Sequence, residues 1–556
     1  MNGKPLSKRI WAGKYFDRYR FVSAAAATIA AACMIAAPLS FAASGGDAGS
    51  HDVSLADVLT YHNDIARTGQ YLAETTLTPA NVNAAQFGKV AFLATDGKVD
   101  AQPLYVSHVS MNGGTHNVVY VATEHASVYA FDADNNTKLW QRSLLPHGET
   151  TSDNRRCTQI TPEIGITSTP VVDRSRGSHG VIYAVAMSED AHGAYHQRVH
   201  ALDLSTGAET LGGPKEIAAT YPGHGASSKN GITTFDPKQY AERQALTLVG
   251  GHLYLAWTSH CDHEPYGGWV MAYSADTLEQ TSALNLTPNG SEGSVWMSGA
   301  GMASDGSALY FLDANGTFDT TLNAQGFPEH GDFGNAFLKL ATSPKLGVAD
   351  YFAQFDTTAD SDDDIDLGSG GALVLPDLKD DKGTVRHLVV GAGKNSKIYL
   401  LDRDHMGQFD RSRNVIWQEV DGQLVGGVFG MPAYYHDVIY YGGVGDHLKA
   451  FPIASARLAE TPSSKSAFKF PYPGATPSIS ANGTKNAIVW AAENGGEGAL
   501  HAFSADDLGH ELYDSKQSGA RDRFGPGNKF ITPMIAHGHV YVGATNGVAV
   551  FGLRSH

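Results

Sequence analysis

The chain has 556 residues, with 40 basic against 57 acidic side chains, a formal charge of −17 and 42% hydrophobic residues. That is too apolar for a disordered polymer and too polar for a multi-span membrane protein, and the negative balance excludes a non-specific nucleic-acid binder, which needs a basic face. The 62 glycines follow no collagen-type period, so they predict many tight turns between short strands.

At the start of the chain Lys4, Lys8, Arg9, Lys14, Arg18 and Arg20 precede an alanine-rich apolar run from Phe21 to Ala43. Small polar residues, Ser44-Gly45-Gly46-Asp47, follow. These are the parts of a signal peptide over residues 1–42, cleaved near Ala42, and they predict a periplasmic or secreted protein. An uncleaved anchor is the alternative, which Pro38 and the S-x-A site Ser40-Phe41-Ala42 disfavour. Residues 43–60 are expected to be a flexible mature N-terminus, and 61–556 a single domain. Cleavage leaves 34 basic and 56 acidic side chains and two cysteines, Cys157 and Cys261. In an oxidising compartment these two either pair or stand as unrelated thiols.

A β-rich unit then recurs eight times. It begins at Val118–Trp140 and returns at Val181–Glu209, Leu253–Leu278, Leu309–Leu340 and Leu388–Asp402. Ile439–Phe451, Ile488–Leu508 and Val540–Leu553 complete the set. Each has strands of alternating apolar and polar residues, the pattern of half-buried β-structure. Eight small sheets predict an all-β, eight-bladed β-propeller, with a β-helix or a pair of sandwiches as the runner-up. The last unit lacks an outer strand, and Phe87–Leu93 is a spare strand that would complete it and close the ring. In such a ring two loop classes share one face. They carry Glu124, Glu163, Glu189, the run His260-Cys261-Asp262-His263, Trp296, Asn315, Asp364 to Asp366, Lys394, Glu493 and Lys529, so a ligand site is expected there.

The corners AFDADNNTKLW and ALDLSTGAE resemble the repeat of quinoprotein propellers, the pyrroloquinoline quinone (PQQ)-dependent alcohol dehydrogenases and their cofactor-free relatives. The resemblance spans roughly residues 60–553. Ser188-Glu189-Asp190-Ala191-His192-Gly193 stands where the dehydrogenases carry a calcium-binding glutamate, and Tyr310-Phe311-Leu312-Asp313-Ala314-Asn315-Gly316 resembles their strand ending in a calcium-binding asparagine. Trp296 is similar in position to the tryptophan on which the quinone stacks. Asp332, in Gly331-Asp332-Phe333-Gly334-Asn335, matches the catalytic aspartate, which also approaches the metal. Asp364-Ile365-Asp366 and the stretch that ends in Lys394-Asn395-Ser396-Lys397-Ile398-Tyr399-Leu400-Leu401-Asp402-Arg403 resemble the family's longest motif, with Lys394 in place of the basic residue at the quinone.

The resemblance therefore implies PQQ on Trp296 and Lys394, Ca2+ on Glu189, Asn315 and Asp332, and Asp332 as the base that oxidises an alcohol or related hydroxyl compound. These residue types suit the chemistry, since calcium takes oxygen ligands and a flat cofactor takes a flat apolar floor. No C-x-x-C-H occurs, so no covalent haem is expected and electrons would leave to a separate acceptor. There are departures from the family: Cys157 has no adjacent cysteine, and Asp313-Ala314-Asn315 replaces T-G-N. The alternative function is a cofactor-free scaffold that binds a protein or glycan in the cell envelope. A zinc-type site on His260, Asp262 and His263 is a third reading.

Overall fold

A computed structural model describes residues 57–554. The expected signal peptide and most of the 43–60 segment lie outside these residues. Within the described part, Val58 is fully buried and exchanges both backbone hydrogen bonds with Tyr105 (2.8 and 3.0 Å).

The alternating runs form antiparallel hairpins. Leu104–Met111, Gly114–Ala122, Ser127–Asp132 and Lys138–Ser143 make one four-stranded meander, joined in chain order. Similar meanders run through Thr247–Val249 to Gln280–Asn285, Ala303–Ser304 to Gly347–Ala353, and Ala372–Val374 to Gln418–Val420. The A-x-D corners are set by their aspartates. Asp132 Oδ1 accepts the N–H groups of Asp134 and Asn135, and Asp203 Oδ1 those of Ser205 and Thr206, so each carboxylate folds the turn that follows its strand.

Strand Phe87–Ala94 pairs antiparallel with Gly547–Leu553 and so links the two ends of the described chain. Phe87 is buried, edge-on to Tyr513 at 5.0 Å and beside Phe551 at 6.3 Å. Burial of one such ring stabilises the fold by roughly 1.5–3 kcal/mol.

The closed eight-bladed propeller expected from the sequence is corrected by the hydrogen bonding. The strands fall into eleven separate sheets of two to six strands, and among the described residues none closes on itself. Two physical features break the uniform repeat. The outer pairings carry register shifts, at Lys89/Ala91, Ala130/Phe131, Ala272/Tyr273 and Lys339/Leu340. Polar insertions also pair among themselves, as in the small sheet of Thr220–Pro222, Ser228–Lys229 and Ile232–Thr234 and the hairpin of Leu378–Lys379 with Val385–Arg386. The architecture is all-β, with one short helix at Thr357–Asp362 and three 3-10 turns among the described residues. Among the described residues, no helix is long and apolar enough to cross a membrane.

Cys157 and Cys261 form a disulfide, with Cα atoms 5.6 Å apart across a separation of 104 residues. Cys261 and Asp262 both adopt positive φ (49° and 52°), so the bond holds a tight loop that presents Asp262.

Candidate functional site

Trp296 precedes a 3-10 turn at Met297–Gly299, and Met297 and Ser298 hold φ of 38° and 53°. Non-glycine residues in that region are strained, and the strain persists because Ser298 Oγ donates to the Ser369 carbonyl at 2.7 Å. The turn aims the indole at Asp366, whose Oδ2 accepts its N–H at 3.1 Å. Phe429 and Phe530 present ring edges to it, each at 5.9 Å.

Lys394 Nζ lies 5.9 Å from the Trp296 ring centroid and 2.5 Å from both Asp364 Oδ1 and Asp366 Oδ1. Lys394 is 8% exposed and Asp366 1%. Burial alone would lower the Lys394 ammonium, but Asp366 and Asp364 outweigh it and hold the group charged well above its usual range. Asn315 joins the cluster through its amide, Nδ2 donating to Asp364 Oδ1 at 2.8 Å, while its own Oδ1 is buried without a hydrogen-bond partner among the described residues. Trp296, Asn315 and Lys394, far apart in sequence, therefore meet with Asp364 and Asp366 in one place.

More carboxyls surround that place. Burial pushes the Glu292 carboxyl up to about 7, with Glu264, Asp262 and Asp364 adding repulsion. Glu292 also makes a backbone bridge to Gly316, directly after Asn315. Asp262 is exposed at the rim and accepts the Tyr266 hydroxyl at 3.1 Å. The protein packed around its carboxyl still pushes it up, and Lys394 pulls it back. Asp313 is fully buried, and burial raises it well above the carboxylate range. Sequence reasoning assigned no role to Glu292, and it placed Asp262 among the loop residues of the expected ligand face and in the zinc-type reading. The loop position and the flanking His260 and His263 were the signals for Asp262, and Glu292 had none.

Asp332 and Glu189 have other partners among the described residues. Asp332 is 3% exposed and its Oδ1 accepts the backbone N–H groups of Asn289 (2.9 Å) and Gly290 (3.0 Å). Burial raises its carboxyl against those two donors, and its charged neighbours are Asp319 and His330. Glu189 ends the strand Val181–Glu189, pairing with Tyr195 and Thr150. The Tyr195 ring there carries the Arg155 guanidinium at 4.3 Å.

Phe530 also lines a small recess with Tyr61, Asp100, Thr169, Arg243 and Lys529. Phe530, at φ 68°, is strained like the residues after Trp296, and the Arg243 guanidinium lies 4.7 Å from its ring centroid. Among the described residues, the group of His, Asp and Glu side chains whose geometry could hold a metal ion is a different one. It consists of His501, Glu511 and Asp514, with ligand atoms within 4.8 Å of one another. There His501 Nδ1 meets Glu511 at 2.7 Å and Nε2 meets Glu493 at 3.0 Å. Burial would lower the imidazole, but these carboxylates raise it to about 9, so a protonated ring already supplies the positive charge. His260, of the expected zinc-type cluster, is instead pushed down to about 4 by burial and by Arg155.

No family model matches the chain, and no curated protein does. Solved structures do. The quinohemoprotein alcohol dehydrogenase of Comamonas testosteroni aligns with a TM-score of 0.57 at 13% identity, covering 90% of this chain and 81% of that one. The quinohemoprotein alcohol dehydrogenase ADHIIG of Pseudomonas putida HK5 gives 0.57 at 15%, covering 90% and 80%. A europium-containing methanol dehydrogenase gives 0.54 at 13%, covering 90% and 99%. The chain thus shares its all-β fold with these solved structures.

Proposed function

We propose that this protein is an exported quinoprotein-type dehydrogenase that oxidises an alcohol or related hydroxyl compound at the Trp296–Lys394 site. The observation that carries the reading is the meeting of an aromatic floor, a buried cation and an oxygen-rich donor set at one point. Asn315 Oδ1 is a buried acceptor without a partner among the described residues, and Asp364 and Asp366 crowd beside it with Lys394 as their counter-charge. Carboxylate and amide oxygens are what a hard cation such as Ca2+ takes, so this donor set fits it. Trp296 would support the flat rings of PQQ, which supplies a two-electron acceptor when bound. Glu189, from the original calcium set, stays a proposal that rests on its sequence position alone.

Two carboxyls are candidates for the substrate proton. Asp332 is the one implied by the sequence resemblance. Glu292 is bridged to Gly316, and its value of about 7 suits a general base at neutral pH. We assign the base to Glu292 and keep Asp332 as the comparison. The Cys157–Cys261 disulfide supports an oxidising, extracytoplasmic location. Electrons would pass from the site to a separate acceptor.

Dye-linked oxidation of a panel of primary alcohols, after reconstitution with PQQ and Ca2+, tests the reading. Activity that Glu292→Gln abolishes and Asp332→Asn spares supports Glu292 as the base, and the reverse pattern returns the role to Asp332. If calorimetry detects no binding of PQQ with or without Ca2+, the dehydrogenase reading fails and the same face is left as a docking surface.

A further inference from the structure

The strands Leu500–Ser504 and Glu511–Asp514 pair through an irregular register. Asp514 stands opposite His501 and Tyr513 opposite Ala502, but Glu511 stands opposite Phe503. The shift passes over Leu512. In a regular strand two residues three apart point to opposite faces, whereas the extra residue turns Glu511 and Asp514 to the one face that carries His501. One ring nitrogen of His501 and one oxygen from each carboxylate lie within 4.8 Å of one another as a result.

The imidazole is held from its far side. Nε2 meets Glu493 Oε1 at 3.0 Å, and Glu493, 4% exposed, also takes the Lys516 ammonium at 2.5 Å. Nδ1 is thereby turned to the two carboxylates and lies 2.7 Å from Glu511 Oε1. A carboxylate on the second ring nitrogen is what orients a metal-binding histidine and raises its basicity. Phe468 stacks on the ring at 4.6 Å and Phe470 meets it edge-on at 5.4 Å, which leaves His501 1% exposed. Asp514 is fixed as well, because its Oδ1 accepts the Lys516 N–H at 2.8 Å where the next turn begins. Charge within the group does not balance. Glu493, Glu511 and Asp514 face only Lys516 and the ring proton, so one negative charge is left over.

We propose that His501, Glu511 and Asp514 form a binding site for a divalent transition-metal ion of the Zn2+ type, with Glu493 positioning the imidazole and water in the fourth place. A neutral imidazole with two carboxylate oxygens is a donor set that zinc takes, at about 2.0–2.2 Å, whereas Ca2+ and Mg2+ favour oxygen alone. The ion displaces the Nδ1 proton, which leaves to solvent. Its two positive charges and that of Lys516 then match the three carboxylates. Bound there, it ties Glu511–Asp514 to Leu500–Ser504 across the shifted register. The site shares no residue with the Trp296–Lys394 cluster and stands whether or not a quinone binds.

The test is calorimetric titration of the metal-free mature chain with Zn2+ at pH 7 and 8, repeated on Glu511→Gln, Asp514→Asn and Glu493→Gln. One Zn2+ per chain is expected, bound about tenfold more tightly at pH 8, because the ring holds its proton up to about 9 and gives up one on binding. Glu493→Gln should weaken the ion by about 10–100-fold, the usual effect of losing an outer partner, and each ligand variant by at least as much. Glu511 and Asp514 are partly exposed, so their variants keep the test open if changes at the buried Glu493 disturb folding. Co2+ gives a second readout, an intense visible absorption that the unmutated chain shows and Glu511→Gln loses. Zn2+ should also raise Tm of the unmutated chain and leave that of Glu511→Gln unmoved, and excess Ca2+ should not displace it. Absence of Zn2+ binding, binding that Glu511→Gln and Asp514→Asn leave unchanged, affinity indifferent to pH, or displacement by Ca2+ overturns the proposal.

Discussion

Replacing Lys394 by methionine removes the counter-charge of Asp364 and Asp366 while keeping the length of the stem. Asp366 is the sensitive partner, because its side chain is 1% exposed, whereas that of Asp364 is 48% exposed and can be hydrated. Breaking a buried pair by deleting one member costs about 3–5 kcal/mol, and the exposure of Asp364 argues for the lower end, about 3 kcal/mol. At roughly 2.1 cal/mol/K per residue over roughly 500 residues, that corresponds to a Tm drop of about 3 °C. The pH dependence has a definite sign. Without Lys394, burial leaves the Asp366 carboxyl raised above its unfolded value, so the folded variant binds the proton more tightly than the unfolded chain. The deficit is then full above the raised folded value and disappears as the pH falls toward the unfolded one. Adding Asp366→Asn should recover most of the loss at neutral pH. Calorimetric melts of the three proteins at pH 5 and 7.5 measure this. A loss below about 1 kcal/mol, or a double variant no better than the single one, would refute the reasoning.

Further outcomes follow from the same structure. Replacing both Cys157 and Cys261 by serine removes a cross-link over about a hundred residues, and melting should show a loss of about 4–5 kcal/mol. His501 is raised from 6.5 to about 9 by its carboxylates, so its contribution is fully present below pH 6.5 and is lost as the pH rises through about 9. That is worth about 3 kcal/mol, and a stability profile between pH 6 and 10 should flatten in His501→Gln. With Glu292 as base, turnover of the reconstituted enzyme should rise through a pH near 7 and lose that limb in Glu292→Gln; a limb that survives the substitution assigns it to another group. Truncating Phe87 to alanine should cost about 3–5 kcal/mol in a melt, since the ring seals the pairing of the first long strand with the last.

Local structure was legible where the chain writes it locally. The alternation in VVYVATEHASVYAFD gives two strands of a hairpin, and the aspartate of each A-x-D corner caps its own turn. Trp296, Asn315 and Lys394 each sit in a short motif, and the fold links them through Asp364 and Asp366. The closed ring read from the repeats is not what the hydrogen bonding shows. The ladders end at register shifts that depend on packing between strands, and the polar insertion at 220–234 has no alternation to betray its small sheet. Asp262 reaches the site through a disulfide loop, Glu292 through a backbone bridge and Arg243 through the Phe530 ring. Those contacts belong to the folded chain, and no spacing in the sequence records them. Asp332 and Glu189 also lie in motif-like stretches, and the partners the fold gives them are Asn289 with Gly290 and Tyr195 with Thr150.

The most direct measurement is a crystal structure of the mature chain grown with PQQ and Ca2+. The account predicts the quinone rings stacked on Trp296 within reach of Lys394, and a cation about 2.4 Å from Asn315 Oδ1. A quinone bound away from Trp296, or a cation ligated by Glu189 and Asp332 without Asn315, would contradict it.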